Sequence, residues 1–249
     1  MFEERCLALG MLISHFKVNN FRLLTPRHSI ILEEASLELV PAKFQRHRSC
    51  KLIENRSDVQ PELQILDDNY HHEIISKLPD SAKRGRPDIV HFALLDIVST
   101  PAYMEDLVEV YVHTVNDVTI RLKSGVRLPR SFERFCGVIA KLLSGKLEDK
   151  EMKLFEIRDE TIESLISSIH AERVVCLTSE GLSEDIVEFA RGANSGEGKA
   201  VWIIGGFARG HFDDSVKSLA SDIISISNHS LAAQVICSRL CFAIEKACH

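Results

Sequence analysis

The alternation of β-branched runs with amphipathic segments between residues 153 and 247 constrains the fold more than any other feature. Strands are predicted at KLFEI (153–157), RVVCLTSEG (173–181), VWIIGG (201–206) and IISIS (223–227), and helices near 159–170, 183–191 and 231–247. Ser183 is the predicted N-cap of the second helix. Strands that alternate with helices in this way form a mainly parallel sheet. The sequence therefore predicts an α/β fold with helices on both faces of the sheet.

The first half of the chain is less regular and predicts an added β-rich and helical insertion. We predict a strand at 29–41, a helix at 69–78, a buried strand rather than a helix at 86–101, a hairpin at 108–122 and a helix after Ser131. Residues 42–69 are polar and mixed, and residues 1–28 read as an N-terminal extension. Residues 29–249 are therefore expected to form a single domain.

Cysteine and histidine usage argues against a metal site and against disulfides. The seven cysteines are odd in number and contain no CxxC spacing, which favours a reducing cytoplasm. Cys176 is expected to lie in the strand core, and His71 and His72, the one histidine pair, do not share a helix face. No apolar run reaches the roughly 18 residues that a membrane helix needs. We expect neither a metal nor a membrane as partner.

Basic residues cluster although the formal net charge is −6. Residues 41–57 carry five Lys and Arg against Glu54, residues 121–134 carry five Arg and Lys against Glu133, and KRGR (83–86) lies between them. A chain polarised in this way can bind phosphates on one face while it remains acidic overall. We predict RNA-binding elements around 41–57 and 83–134, with a solvated charged surface as the alternative.

Three consecutive predicted strands end in small polar residues or glycine, in CLTSEG, IIGGFARG and SISNHS. Ligands of open α/β sheets bind beyond the carboxyl ends of the strands. Gly205, Gly206 and Gly210 do not have dinucleotide-binding spacing, and His211 and Phe212 stand where a phosphate-binding P-loop has Lys and Ser or Thr. The pattern favours a cofactor held by backbone groups. That the glycines only turn the chain remains an alternative.

Five segments, RGRPDIVHFALL, RLPRSFERFCG, LTSEG, GGFARG and SISNHSLAA, occur in an order that resembles one known family. The chain looks like the pseudouridine-N1 methyltransferases of small-subunit ribosomal RNA, in the SPOUT superfamily of trefoil-knotted enzymes, from about Ser29 onwards. The resemblance implies a C-terminal trefoil knot, a homodimer, and S-adenosylmethionine bound by the knot loops. Pattern alone does not predict a knot, because true knots are nearly absent among folds.

The resemblance also assigns the site residues. The cofactor-binding residues that it implies are Leu177, Thr178, Gly205, Gly210, His211, Phe212, Ser227, Asn228, His229, Ser230, Leu231 and Ala232. Those for RNA are Arg86, Arg127, Arg130 and Arg134, and Asp88 is implied to hold one of these arginines. Arg86 and Asp88 are the candidate catalytic residues. Either Asp88 or a water molecule accepts the proton from N1.

The implied activity is methylation of ring nitrogen N1 of a pseudouridine in small-subunit ribosomal RNA, as part of ribosome biogenesis. A sulfonium brings its own leaving group, so no activated nucleophile is expected in the protein. Two other classes remain open: a non-catalytic RNA-binding assembly factor, and an enzyme that binds a nucleotide's phosphates at GGFARG. A transferase that acts on uridine or on another base would keep the fold and change only the substrate.

Overall fold

Seven strands form one sheet in the computed structural model, which describes residues 27–148, 153–194 and 198–248. The strands are β1 (His28–Ala35), β2 (Val108–Thr114), β3 (Val118–Leu122), β4 (Phe155–Asp159), β5 (Ala171–Ser183), β6 (Lys199–Gly205) and β7 (Asp222–Ser225). Their order across the sheet is β4-β3-β2-β1-β6-β5-β7. Strands β2, β1, β6, β5 and β7 run parallel, and β3 and β4 add an antiparallel edge. The predicted mainly parallel sheet is confirmed.

Nine α-helices occur among the described residues. They are α1 (Arg48–Ser57), α2 (Asp68–Ile75), α3 (Pro87–Val98), α4 (Pro101–Met104), α5 (Phe132–Leu143), α6 (Ile162–Ile169), α7 (Ile186–Asn194), α8 (Asp214–Leu219) and α9 (Ala233–Cys248). Helices α1 and α2, with short 3-10 turns, lie between β1 and α3.

The core has two layers because alternate strand residues point to opposite faces of the sheet. Ile30 and Leu32 pack with α3, α5, α7 and α9 on one face, whereas Ile31 packs with α6 and α8 on the other. In β6, Trp202 and Ile204 follow the first face and Val201 and Ile203 the second. Helices therefore cover both faces, as the sequence predicts.

The predicted strand at 86–101 is wrong, because this segment forms helix α3. Pro87 occupies the first turn, where its missing N–H costs no hydrogen bond. Val90, His91, Ala93, Leu94 and Ile97 are all buried along the helix. A helix with so much buried surface has no polar stripe, so its sequence resembles a buried strand.

Smaller corrections concern the ends of elements. The predicted strand at 29–41 ends at Ala35, beyond which only a single bridge joins Leu39 to Ile65. Ser183 ends β5, and Asp185 instead caps α7, because its Oδ1 accepts hydrogen bonds from the Val187 and Glu188 amides at 2.8 and 3.1 Å. The extension over residues 1–26 and the loop over 195–197 lie outside the described residues.

Candidate functional site

The carboxyl ends of β5, β6 and β7 open into a cavity of about 480 Å³. These strands are parallel neighbours, so their ends meet at one edge of the sheet. Every cofactor residue implied by the resemblance lines this cavity except Asn228, which is described and exposed but outside the lining. The three loops that the sequence singles out therefore come together in space.

The first and third loops are shaped by bulges and side-chain turns. The pairing of β5 with β7 shifts register between Leu177 and Leu182, and this irregularity brings Thr178 and Ser179 into the cavity wall. In the third loop, the Ser225 hydroxyl donates to the Ser227 carbonyl at 2.9 Å, and the Ser227 hydroxyl accepts from the His229 amide at 3.0 Å. Local hydrogen bonds of this kind fix a loop without regular secondary structure.

The second loop is bonded to the end of β1. The Gly206 amide donates to the Glu33 carbonyl at 2.8 Å, and the Ser36 amide donates to the Gly206 carbonyl at 3.0 Å. A Cβ atom on Gly206 would lie 2.8 Å from Ala35 Cα, so only glycine permits this approach of the two backbones.

A buried acid–base pair, Glu33 of β1 and His113 of β2, lies next to the second loop, since the Glu33 carbonyl accepts the hydrogen bond from Gly206. Glu33 Oε1 lies 3.0 Å from His113 Nδ1, and His113 Nε2 lies 3.0 Å from the Glu160 carbonyl. Burial raises the pKa of Glu33. Burial disfavours the charged form of His113, but the hydrogen bond to Glu33, the charge of Glu33 and the hydrogen bond to Glu160 together outweigh it, and the pKa of His113 is raised.

Helix α3 supplies the opposite wall of the cavity through Arg86, Asp88, Ile89 and Phe92. Arg86 donates to both oxygens of Asp88, from Nε at 2.8 Å and from Nη2 at 2.7 Å. The hydrogen bond from Arg86 lowers the pKa of Asp88 although partial burial opposes it. The pair is therefore a fixed, fully ionised fork at the mouth of the cavity.

The cavity wall carries little net charge. Of the described residues that line it, Arg86 is the one permanent cation, and Asp88 neutralises it. A triphosphate requires cationic side chains or a metal ion, whereas adenosine and amino acid groups are met by backbone hydrogen bonds and apolar walls. Cys176, 0 % exposed in β5, is no nucleophile here, because burial raises its pKa to about 12.

The three remaining RNA-binding candidates lie outside the cavity. Arg127, Arg130 and Arg134 are exposed around the start of α5, and none of them forms an ion pair with another described residue. His91 of α3 connects this segment to the cavity wall, because its Nε2 donates to the Pro129 carbonyl at 2.8 Å. The His91 ring also stacks on Phe135 with centroids 4.4 Å apart.

Several lining residues were missed by sequence reasoning. Ile89 and Phe92 were not selected because 86–101 was interpreted as a strand, although Arg86, Ile89 and Phe92 lie three residues apart, as one face of a helix requires. Phe207 lines the cavity directly after the glycine pair, where no pattern identifies it.

The predicted basic segment 41–57 lies elsewhere. Lys43, Arg46, Lys51 and Arg56 are exposed, and Arg48 pairs with Glu73. None of these residues lines the cavity within the part of the chain that the structure describes. Across all the described residues, no group of three His, Cys, Asp or Glu side chains is suited to hold a metal ion. No helix among them is long and apolar enough to span a membrane.

Comparison with known proteins gives consistent matches over nearly the whole described chain. The family model for EMG1/NEP1 methyltransferase matches residues 30–245. The ribosomal RNA small subunit methyltransferase Nep1 of Thermococcus kodakarensis is 35% identical over 223 residues, which cover 88% of this chain and 97% of that protein. The Nep1 of Pyrococcus furiosus is 33% identical over 219 residues, covering 88% and 96%.

A solved structure shares the fold. The crystal structure of Archaeoglobus fulgidus Nep1 bound to S-adenosylhomocysteine superimposes with a TM-score of 0.76 at 28% identity. The match covers 90% of this chain and 99% of that one.

Proposed function

We propose, since this chain belongs to the EMG1/NEP1 methyltransferase family, that it methylates small-subunit ribosomal RNA with S-adenosylmethionine and thereby serves ribosome biogenesis. The finer assignment, to ring nitrogen N1 of a pseudouridine, rests on the family resemblance of five segments between RGRPDIVHFALL and SISNHSLAA. The observation that carries the proposal is the cavity in which three glycine- and serine-rich loops meet beside the Arg86–Asp88 pair.

The cavity suits this cofactor by its chemistry. Its wall offers loop backbone from Leu177, Thr178 and Gly205, with apolar contacts from Phe212 and Leu231. The positive charge of Arg86 is balanced by Asp88, so the described wall has no unpaired cationic side chain that would favour a phosphate. Bound S-adenosylmethionine would supply an electrophilic methyl group on a sulfonium that leaves as a thioether.

The residues of the chain bind and orient the base. Arg86 lies at the cavity mouth, and its planar guanidinium suits both stacking on a base and hydrogen bonding to a phosphate. Both oxygens of Asp88 accept from Arg86, and its lowered pKa makes it a weak base. We therefore assign Asp88 to positioning Arg86, and solvent water to accepting the N1 proton.

The exposed arginines suit an RNA backbone. Arg130 and Arg134 flank the N-terminus of α5, where the helix dipole disfavours cations and favours anions. A bound phosphate would meet both the arginines and the amides of the first turn. The target base must leave any stack to enter the cavity, so a loop or single strand is the preferred substrate.

We also propose a homodimer in a reducing cytoplasm, in which the described cysteines stay free thiols. The second copy would cover the face shared by α3 and α9, where Phe92, Val235 and Phe242 are exposed. Phe92 also lines the cavity, so a partner there would complete its mouth. Light scattering should report a dimer that Phe242→Asp dissociates and Tyr70→Asp, at an exposed aromatic of α2, leaves intact. A monomeric wild-type protein would contradict this part of the proposal.

The deciding experiment for the activity uses labelled S-adenosylmethionine and two short RNA hairpins, alike except for uridine or pseudouridine in the loop. We expect transfer to the pseudouridine hairpin alone. Equal transfer to both would assign the enzyme to another base. Tight RNA binding with no cofactor binding and no transfer would instead identify a non-catalytic assembly factor, and stabilisation by ATP or NAD alone would favour a nucleotide-binding enzyme.

A further inference from the structure

The segment that leads into α3 carries three cations, and each of them pairs with a carboxylate. Arg84 donates to both oxygens of Glu38 at 2.7 and 2.6 Å, and Arg86 forms the bidentate pair with Asp88. Lys83 differs from both arginines, because it contacts two carboxylates that belong to distant parts of the fold.

Lys83 joins the end of β1 to the end of the glycine loop. Its Nζ lies 2.7 Å from Glu34 Oε2 and 2.7 Å from Asp213 Oδ1, and the Asp213 amide donates to Glu34 Oε1 at 3.0 Å. The Lys83 side chain is only 12% exposed. Burial opposes its charge, but the hydrogen bonds to Asp213 and Glu34 and the charges of these two carboxylates together outweigh it and raise the pKa of Lys83.

The three charges sum to −1, so the Lys83 ammonium is what offsets the repulsion between the two carboxylates. Without the ammonium, the Glu34 and Asp213 carboxylates would face each other at short range in a partly buried site, and they would repel. The loop ending at Asp213 would then move away from β1.

The aromatic wall of the cavity depends on the same lysine. Lys83 Nζ lies 5.2 Å from the centre of the Phe207 ring, and Phe207 meets Phe212 edge to face at 5.5 Å. Both phenylalanines line the cavity, whereas Lys83 does not. Lys83 can therefore influence a ligand in the cavity through Phe207, which it contacts and which lines the wall.

A second connection runs parallel to the first through Ser36. The Ser36 amide donates to Gly206 in the loop, while the Ser36 hydroxyl accepts from the Arg86 amide at 2.7 Å. The loop beside the cavity and the backbone of Arg86 are thus held by two short chains of contacts, through Lys83 and through Ser36.

We propose that Lys83 is a positioning residue that couples the cofactor cavity to Arg86, the RNA-binding candidate that lines it. The inference rests on the proposed function and adds a thermodynamic property to it. A ligand that orders the loop over residues 206–213 also fixes the segment over residues 83–86, and with it Arg86. Cofactor and RNA therefore bind with positive coupling, and the coupling is equal in both directions.

The test is calorimetry with S-adenosylhomocysteine, alone and with a saturating RNA hairpin that carries one pseudouridine. In the wild-type protein, the RNA should tighten binding of S-adenosylhomocysteine by about fivefold or more. Lys83→Met should reduce this factor to half or less, because only the connection through Ser36 then remains, and Lys83→Arg should restore part of it. Asp213→Ala should reduce it by a smaller margin, because it leaves the pair of Lys83 with Glu34 in place.

Asp222→Asn is the matched control, since it weakens the Arg173–Asp222 pair, which lies where β5 and β7 begin, at the opposite end of these strands. It should keep the full coupling. If Lys83→Met does not fold, Asp213→Ala decides the question.

The outcomes separate the two proposals. Wild-type protein that binds both ligands without coupling, or variants that lose cofactor affinity but keep the wild-type coupling factor, would overturn the role of Lys83 and leave the proposed function standing. Wild-type protein that binds neither S-adenosylhomocysteine nor the hairpin would overturn the proposed function, and this inference with it.

Discussion

Helix α3 contributes to the cavity wall and also contacts the segment that carries Arg127, Arg130 and Arg134, here called the arginine surface. The cavity and the arginine surface differ in composition. The cavity wall consists mainly of loop backbone, glycine, serine and a few aromatic rings around one neutralised ion pair. The arginine surface consists of long exposed side chains, Arg127, Arg130 and Arg134, with no ion pairs among the described residues.

This contrast indicates how each region responds to change. A wall of packed backbone depends on shape, so one added side chain has a large effect. On a surface of exposed charges, each arginine contributes separately to RNA affinity, so losing one arginine has a smaller effect. Because these charges are exposed to solvent, RNA affinity depends strongly on the salt concentration. The predictions below test whether the two regions fail separately.

The largest expected effect is that of Gly205→Val. A Cβ atom at Gly205 would lie 2.9 Å from Phe207 Cε1, so the valine must displace the Phe207 ring within the cavity. Overpacking of this kind costs about 1–3 kcal/mol, which corresponds to a roughly fivefold to 150-fold loss of affinity. Calorimetry should show this loss for S-adenosylhomocysteine and unchanged binding of RNA. The control is Gly137→Val on α5, where an added Cβ meets nothing within 4 Å.

Asp88→Asn should reduce kcat/KM by about tenfold, because a misaligned guanidinium no longer positions the base. Cofactor affinity should hold within about twofold, since Asp88 acts through Arg86. The pH–rate profile distinguishes the two roles left open by the sequence. If Asp88 positions Arg86, the profile keeps its shape and only its height falls. A lost limb in the profile would identify Asp88 as the base.

Arg130→Ala should weaken RNA binding by about fivefold, equivalent to about 1 kcal/mol, and leave cofactor affinity unchanged. The slope of log K against log salt should also become shallower by about 0.7–0.9, as expected for one lost phosphate contact. Arg158→Ala, an exposed arginine on the edge strand β4, is the matched control and should change neither quantity. An equal loss of affinity for both ligands would refute the separation of the two regions.

The smallest effect concerns the buried pair beneath the glycine loop. The pKa of His113 is raised in the folded protein, so its contribution to stability is complete below the unfolded value of about 6.5 and is lost as pH rises through the raised value. The raised pKa of Glu33 acts in the same direction. The thermal midpoint should fall as the pH rises from 6.5 to 8.5. His113→Gln should flatten this dependence, and His72→Gln, at an exposed histidine, should not.

Sequence reasoning located the three loops of the cavity better than it located their surroundings. Strand ends rich in glycine and serine are local signals, so the segments CLTSEG, IIGGFARG and SISNHS could be read directly from the chain, whereas the individual cofactor residues came from the family resemblance. Helix α3 was misread because burial had removed its polar face. The contacts of Lys83 were beyond reach, since its partners Glu34 and Asp213 lie 49 and 130 residues away along the chain. The knot and the dimer remain predictions of the family resemblance.

Two adjacent glycines in the second loop serve different purposes, and this has a consequence for tracing the protein through evolution. Gly206 is required by the approach of its backbone to Ala35, whereas the atoms nearest to an added Cβ at Gly205 belong to the side chain of Phe207 in the cavity wall. A descendant that lost catalysis while it kept its scaffold would retain Gly206 and would be free to replace Gly205. The pair therefore distinguishes copies selected for chemistry from copies selected only to fold.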